Sequence, residues 1–248
     1  MWQDKNSLEL RQEEEYARLE VPLYRQMTDF TCGACAALMV WKYDRKVQLS
    51  RRNEFLIWAE TIALPYKFSS PYRITAFFIK KGFETKLIME QRPISIGKTP
   101  LECYQVDPAE RKLFLDFFKA YNEILKRQIA SAILDRKPTL PDIRRALINR
   151  SPAILLVDSY YTLKGRGAQN PPHQPHWVVV TGYEDEKFYI NDPIHETGLK
   201  PGKMMLEASV LREAMDTYRR FRWPPALIVV KLKASKSIPR LHRVGLVG

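Results

Sequence analysis

Hydrophobic and polar positions divide the chain into two stretches of different texture. Residues 7–19 set Glu and Arg among spaced apolar positions and predict an amphipathic helix. "VPLYRQM" reads as a short extended segment. Residues 31–43, "TCGACAALMVWKY", predict a buried helix, because small residues and Leu38, Met39, Val40 and Trp41 fill it on every side. A second helix is expected near "RRNEFLIWAETIA". A third should run from Ser70-Pro71 to Gly82, with Ser as N-cap, Pro at the first helical position and Gly at the left-handed C-terminal position. "FETKLIME" reads as a strand. Residues 108–135 predict a long helix with Leu113, Leu115, Phe117, Phe118, Tyr121 and Ile124 as its apolar positions. "TLPDIRRALINR" predicts another, capped by Thr139 and carrying Pro141 in its first turn.

Beyond residue 150 the period shortens. "PAILLVDSYY", "HWVVVTGYE", "KFYIND" and "PALIVVKL" are short β-rich runs. "EDE" joins the second to the third as a tight hairpin, and "LEASVLREAMDTYRR" is a helix between the last two. Helices followed by antiparallel strands indicate an α+β fold. The expected organisation is one domain over 1–248: an N-terminal helix (1–20), a mainly helical part (21–150), an antiparallel sheet part (151–232) and a basic tail (233–248). Residues 163–175, "LKGRGAQNPPHQP", read as a flexible loop ending at His176.

Composition changes this picture little. Of 248 residues, 45% are hydrophobic, enough for a core and too many for disorder. No apolar run is long enough to cross a bilayer, and the N-terminus lacks the apolar region of a secretory signal. Three cysteines do not make a disulfide framework, so a reduced, cytoplasmic setting is expected. The net charge of +12 is spread along the chain rather than gathered into a nucleic-acid motif. Exposed Lys and Arg on helix faces account for most of it, ahead of a nucleic-acid site; no membrane partner is expected, and the charge hints at a substrate that is an acidic peptide.

The chemistry centres on "RQMTDFTCGAC". Cys32 is placed at a helix start, where unpaired N–H groups and the dipole favour a thiolate. Gly33 beside it removes bulk and lets another chain approach closely. A nucleophilic thiol needs a base, and the base an orienting group. His176 opens the strand "HWVVVTGY" and Asp192 ends the next one, so an antiparallel hairpin makes them neighbours. Gln26, six residues before Cys32, is a candidate oxyanion donor together with the Cys32 backbone N–H.

These two stretches, "YRQMTDFTCGACAALMV" and "PHWVVVTGYEDEKFYINDP", resemble the catalytic motifs of the C39-like cysteine peptidases of the papain-like superfamily. "SPYRITAFFIKKGFETKLIM" and "DIRRALINRSPAILLVDSYY" resemble segments between those motifs in a stand-alone bacterial branch. The resemblance covers most of residues 20–232. It implies a papain-like fold in which the cysteine helix packs on an antiparallel sheet carrying His and Asp. It further implies Cys32 as nucleophile, His176 as base, Asp192 as orienter and Gln26 as oxyanion donor. No cofactor or metal is implied, and the substrate would be a peptide or protein. The double-glycine cleavage of relatives fused to exporters is not implied, since no membrane span is predicted here.

Competing readings exist for the same residues. "CGAC" is a C-x-x-C, but a redox pair calls for a βαβ context and here helices precede the sheet. Cys32, Cys35, His173 and His176 form a possible zinc ligand set. A catalytically silent peptide-binding domain, or an acyl-transfer enzyme, would keep the same cleft. Cys35 reads as a core residue one turn behind Cys32, His173 as a loop residue near the cleft and Trp177 as core. Cys103 is assigned no role.

Overall fold

The computed structural model describes residues 16–63, 67–91, 107, 109–194, 199–200, 202–216 and 223–232. Among the described residues, seven helices and eight strands alternate in an α+β arrangement. In chain order they are β1 (Tyr16–Arg18), α1 (Cys32–Asp44), α2 (Arg51–Thr61), α3 (Pro71–Lys80) and β2 (Glu84–Met89). There follow α4 (Arg111–Gln128), β3 (Ile133–Leu134), α5 (Leu140–Ile148), β4 (Ala153–Asp158), α6 (Ser159–Gly165) and β5 (Pro175–Glu184). The last are β6 (Lys187–Asn191), β7 (Lys203–Glu207), α7 (Ala208–Met215) and β8 (Ala226–Lys231). The sheet order is β3-β2-β8-β4-β5-β6-β7, and β1 pairs with β5.

Local sequence explains most of these elements. Every residue of α1 from Cys32 to Val40 is buried, as a helix without a polar face must be. It packs on α2 and β5. Thr139 begins α5 as expected: the Asp142 carboxylate accepts from the Thr139 N–H at 2.9 Å and its hydroxyl at 2.7 Å. Pro71 sits at the start of α3, and Gly82 takes φ +82 beyond its end. Ser70 occupies the N-cap position but makes no capping hydrogen bond with its side chain. β4 is buried along its whole length, between β8 and β5. Asp185 turns the β5–β6 hairpin at φ +51.

Several expectations need correction. Residues 16–18 form a strand rather than the end of a helix, because the second half of β5 has an edge that β4 does not reach. Arg18 there lays its guanidinium 4.4 Å over the Tyr189 ring. The rest of the expected N-terminal helix, and Cys103, lie outside the described residues. The helix of 108–135 stops at Gln128; a short turn follows, and Ile133–Leu134 pair in parallel with β2. β2 itself pairs with β8, so the sheet draws strands from the helical part. "DSYY" does not continue β4: the Asp158 carboxylate accepts from the Tyr160 N–H at 3.0 Å and starts α6 instead. β7 escapes the sequence reading because "KMMLE" lacks β-branched residues and runs directly into α7.

Candidate active site

α1 begins at Cys32, with Thr31 as its N-cap residue. The cysteine is therefore at the first helical position, among backbone N–H groups that have no partner within the helix. Gly33 is fixed by packing. A Cβ there would lie 2.5 Å from the Ser69 Cβ, 2.8 Å from its Oγ and 3.0 Å from the Trp177 Cδ1. The close approach expected of this glycine is that of Ser69. Trp177 donates from Nε1 to the Ser69 carbonyl at 3.2 Å and is core, as expected.

His176 lies opposite Val157 in the β4–β5 register and faces inward with Val178 and Val180. Asp192 follows β6. The pairing Val179↔Asn191 makes it a diagonal neighbour of His176 on one face of the hairpin. His176 Nε2 and Asp192 Oδ1 are 2.8 Å apart, so with Asp192 ionised the ring N–H donates to the carboxylate. Cys32 lies close enough to the same imidazole to favour its charged form, and Nδ1 is the ring nitrogen that Asp192 leaves free. Side chains from α1, β5 and the end of β6 are thus brought to one place: Cys32, His176 and Asp192. All three are buried, at 5%, 3% and 0% exposure.

Burial opposes charge on His176, but Asp192 outweighs it by charge and hydrogen bond, with Cys32 adding to it. The result pushes the imidazole from its ordinary 6.5 up to about 10. The converse holds at Asp192. Burial raises its carboxyl, while His176, by charge and hydrogen bond, and the Ile194 N–H at 2.9 Å hold it below the usual range. The Thr162 hydroxyl directs its own proton to the Ser159 carbonyl at 3.1 Å. Oδ2 of Asp192 is left without a full hydrogen bond among the described residues.

Gln26 lies on the segment leading to Cys32. Its backbone N–H donates to the Pro193 carbonyl at 2.8 Å, which ties this segment to the residue after Asp192. Its side-chain Nε2 donates to the Thr28 carbonyl at 2.7 Å. A primary amide carries two N–H groups, so one remains for a ligand.

Cys35 takes no part in this group of three. It is fully buried, with Glu54 and Thr31 as its polar neighbours. Burial first, and then the Glu54 carboxylate, push its thiol far above the usual range, which makes it inert. His173 is engaged elsewhere: its Nδ1 lies 2.7 Å from the Asp158 carboxylate, and its ring stacks on Tyr160 with centroids 4.2 Å apart. The four residues of the zinc reading do not gather, and among the described residues no three His, Cys, Asp or Glu are arranged to hold a metal ion.

Sequence reasoning missed Glu54, Arg166 and Gly202. Glu54 is wholly buried on α2. It accepts from the Tyr24 hydroxyl at 3.0 Å, the Met27 N–H at 2.9 Å and the Thr31 hydroxyl at 2.6 Å. One carboxylate therefore gathers the segment between Tyr24 and the start of α1. Its signal was the spacing Glu54, Ile57, Thr61, which puts it on the buried face of α2. Gly202 accepts at its carbonyl from the Asp192 N–H at 2.8 Å, and a Cβ there would run into the Asp192 carbonyl.

A sequence model described as the Peptidase_C39 like family matches residues 21–222. The chain belongs to that family. Three solved structures are similar to this C39-like chain. One is described as a C39-like peptidase from Bacillus anthracis, at 12% identity and TM-score 0.48, covering 87% of this chain and 98% of that one. Another is xylellain, a cysteine protease from Xylella fastidiosa, at 13% identity and TM-score 0.46, covering 88% and 86%. The third is a double glycine motif protease from an AMS/PCAT transporter, solved with its leader peptide. It is 16% identical with TM-score 0.42, covering 86% and 94%. No curated protein matches the chain significantly. Among the described residues no helix is long and apolar enough to cross a membrane.

Proposed function

We propose that this C39-like chain is a cysteine-dependent peptidase or amide hydrolase. Cys32 is its nucleophile, His176 its general base and acid, Asp192 the orienting group and Gln26 an oxyanion donor. The observation that supports the reading is the buried His176–Asp192 hydrogen bond of 2.8 Å beside Cys32, the first residue of α1. The Cys32 thiolate adds to the substrate carbonyl carbon. The oxygen takes the negative charge, facing the Cys32 backbone N–H and the second N–H of Gln26. The His176 imidazolium then gives its proton to the leaving amine, and a thioester to Cys32 remains. Water, losing a proton to His176, adds to that thioester and releases the acid and the thiol.

The test is turnover of a fluorogenic peptide library, with mapping of the cysteine that iodoacetamide labels. Cys32→Ala is expected to abolish turnover, while Cys35→Ser keeps most of it. Equal damage by both substitutions would break the reading. A silent peptide-binding role is the second reading, favoured by the Gln26 amide being engaged with Thr28. In that case acidic peptides bind wild type and Cys32→Ala equally well and no peptide is cleaved.

A further inference from the structure

The hairpin brings His176 and Asp192 together, but among the described residues it supplies no second positive charge to balance Asp192 when the imidazole is neutral. Arg166 does. It follows α6 within the stretch that reads as a flexible loop in sequence, yet its side chain is only 4% exposed. Its Nε donates to the Lys200 carbonyl at 3.0 Å and its Nη1 to the Ile194 carbonyl at 2.8 Å. The same Nη1 stands 3.6 Å from Asp192 Oδ2, the oxygen left without a hydrogen bond. The Lys200 N–H returns a bond to the Arg166 carbonyl at 3.2 Å. One guanidinium thus holds backbone on both sides of residues 195–198 and faces the orienting carboxylate from behind.

We propose that Arg166 is a positioning residue: a permanent buried cation that keeps Asp192 ionised and turned toward His176 in both protonation states of the imidazole. The functional consequence rests on reading His176 as the general base and acid. The argument starts from charge. A wholly buried carboxylate beside a neutral imidazole is an uncompensated ion, which is costly. Without a second cation the pair has two ways out. The imidazole keeps its proton and is lost as a base, or the carboxyl takes one and stops being an acceptor. Imidazole is the more basic group, so the first prevails. Arginine stays charged at any working pH, and its planar fork serves two carbonyls and a carboxylate at once. With Arg166 present, His176 gives up and regains its proton while Asp192 stays an anion. The titratable and charged groups acting on His176 are Asp192 and Cys32, with Cys35 and Glu54 further back and Arg166 behind Asp192.

The test measures the C2 hydrogen–deuterium exchange of His176 against pH, read by peptide mass spectrometry on the full chain. Wild type is compared with Arg166→Met, Arg166→Gln and Arg166→Lys. In the Met and Gln variants the His176 midpoint is expected to rise by about one pH unit, while Lys keeps it near wild type. A merely structural role would lower the melting temperature and leave the midpoint in place. An unchanged or lowered midpoint in folded Met or Gln variant overturns the proposal, as does a Lys variant that shifts as far as Met. Should Met fail to fold, Gln, which retains donors for the carbonyls, carries the same comparison. Turnover plays no part in this readout. A wild type that cleaves nothing would sink the peptidase reading and leave the Arg166 comparison intact.

Discussion

Gly33→Ala sets two effects of known size against each other. Alanine is the better helix former, by about 1 kcal/mol in a helix interior and less at the second helical position. Against this stands the wall facing Gly33. The new methyl would lie 2.5 Å from the Ser69 Cβ and 3.0 Å from the Trp177 ring. Ser69 has little room to yield. Its hydroxyl is 2.8 Å from the Thr61 hydroxyl, and its carbonyl takes the Trp177 indole N–H. Ile62 and Ser69 also form a backbone bridge. Overpacking of a well-filled site costs about 1–3 kcal/mol, so packing outweighs propensity by about 1–2 kcal/mol. At about 2–4 °C per kcal/mol for a chain of this size, the melting temperature should fall by about 2–8 °C. The strain pushes the start of α1 away from β5, and with it Cys32 from His176. Iodoacetamide labelling of Cys32 at neutral pH should slow roughly tenfold, because small misplacements of reacting groups are expensive. Differential scanning calorimetry and timed labelling with peptide mapping measure both. An unchanged or raised melting temperature together with unchanged labelling would refute the argument, since the helix term would then have won.

Three further outcomes are expected. His176→Ala should slow iodoacetamide labelling of Cys32 by more than roughly tenfold while leaving Cys35 unlabelled, as mass mapping will show. Glu54→Leu keeps the volume but strands the Tyr24 hydroxyl, the Met27 N–H and the Thr31 hydroxyl. At about 1–3 kcal/mol for the unpaired buried Thr31 hydroxyl, and less for the part-buried Tyr24 and Met27 donors, urea unfolding should show a loss of at least about 1 kcal/mol, with Glu54→Gln milder; equal stability of the two would count against the clasp. The His176–Asp192 pair also sets a pH window. The raised imidazole contributes stability that is complete below 6.5 and fades as pH climbs toward about 10. The depressed carboxyl contributes above 3.8 and fades as pH falls through its lower folded value. Asp192→Asn should flatten the decline between pH 6.5 and 10 in unfolding titrations, and an unaltered slope would contradict the assignment.

The helices and inner strands were legible because their signals are local. α1 is hydrophobic throughout, α5 carries a cap and a proline at its start, and β5 and β6 are short apolar runs joined by a polar turn. The same locality explains the misses. β1 and β3 are three and two residues long and exist only because a distant strand offers an edge. No window on the sequence contains that edge. α6 was misread because an Asp-Ser pair after a buried strand signals a helix start as much as a strand end, and the paired tyrosines favoured the strand.

The site divides along the same line. Cys32, His176 and Asp192 could be linked in advance because hairpin pairing makes His176 and Asp192 neighbours, and the helix start singles out Cys32. Glu54 and Arg166 could not, since nothing local to either names its partner. A charged residue on a helix or in a Gly-Pro loop is ordinarily solvated, and only the assembled fold buries these two. They are also opposite in kind. Glu54 draws an oxygen, a nitrogen and a second oxygen of the 24–31 segment onto one carboxylate beside α1. Arg166 draws two carbonyls and a carboxylate onto one guanidinium behind the histidine. Each is a buried polar side chain whose hydrogen bonds go to groups on the segment it gathers, and Arg166 adds to these the charge of Asp192. That arrangement fits a task of holding backbone still. The segment 24–31 and the stretch 192–194 are themselves joined by the bond from the Gln26 N–H to the Pro193 carbonyl. A shift on either side is therefore passed to the other. Gly202→Ala, remote in sequence from Cys32, should for that reason slow labelling of Cys32 as well as strain the Asp192 backbone.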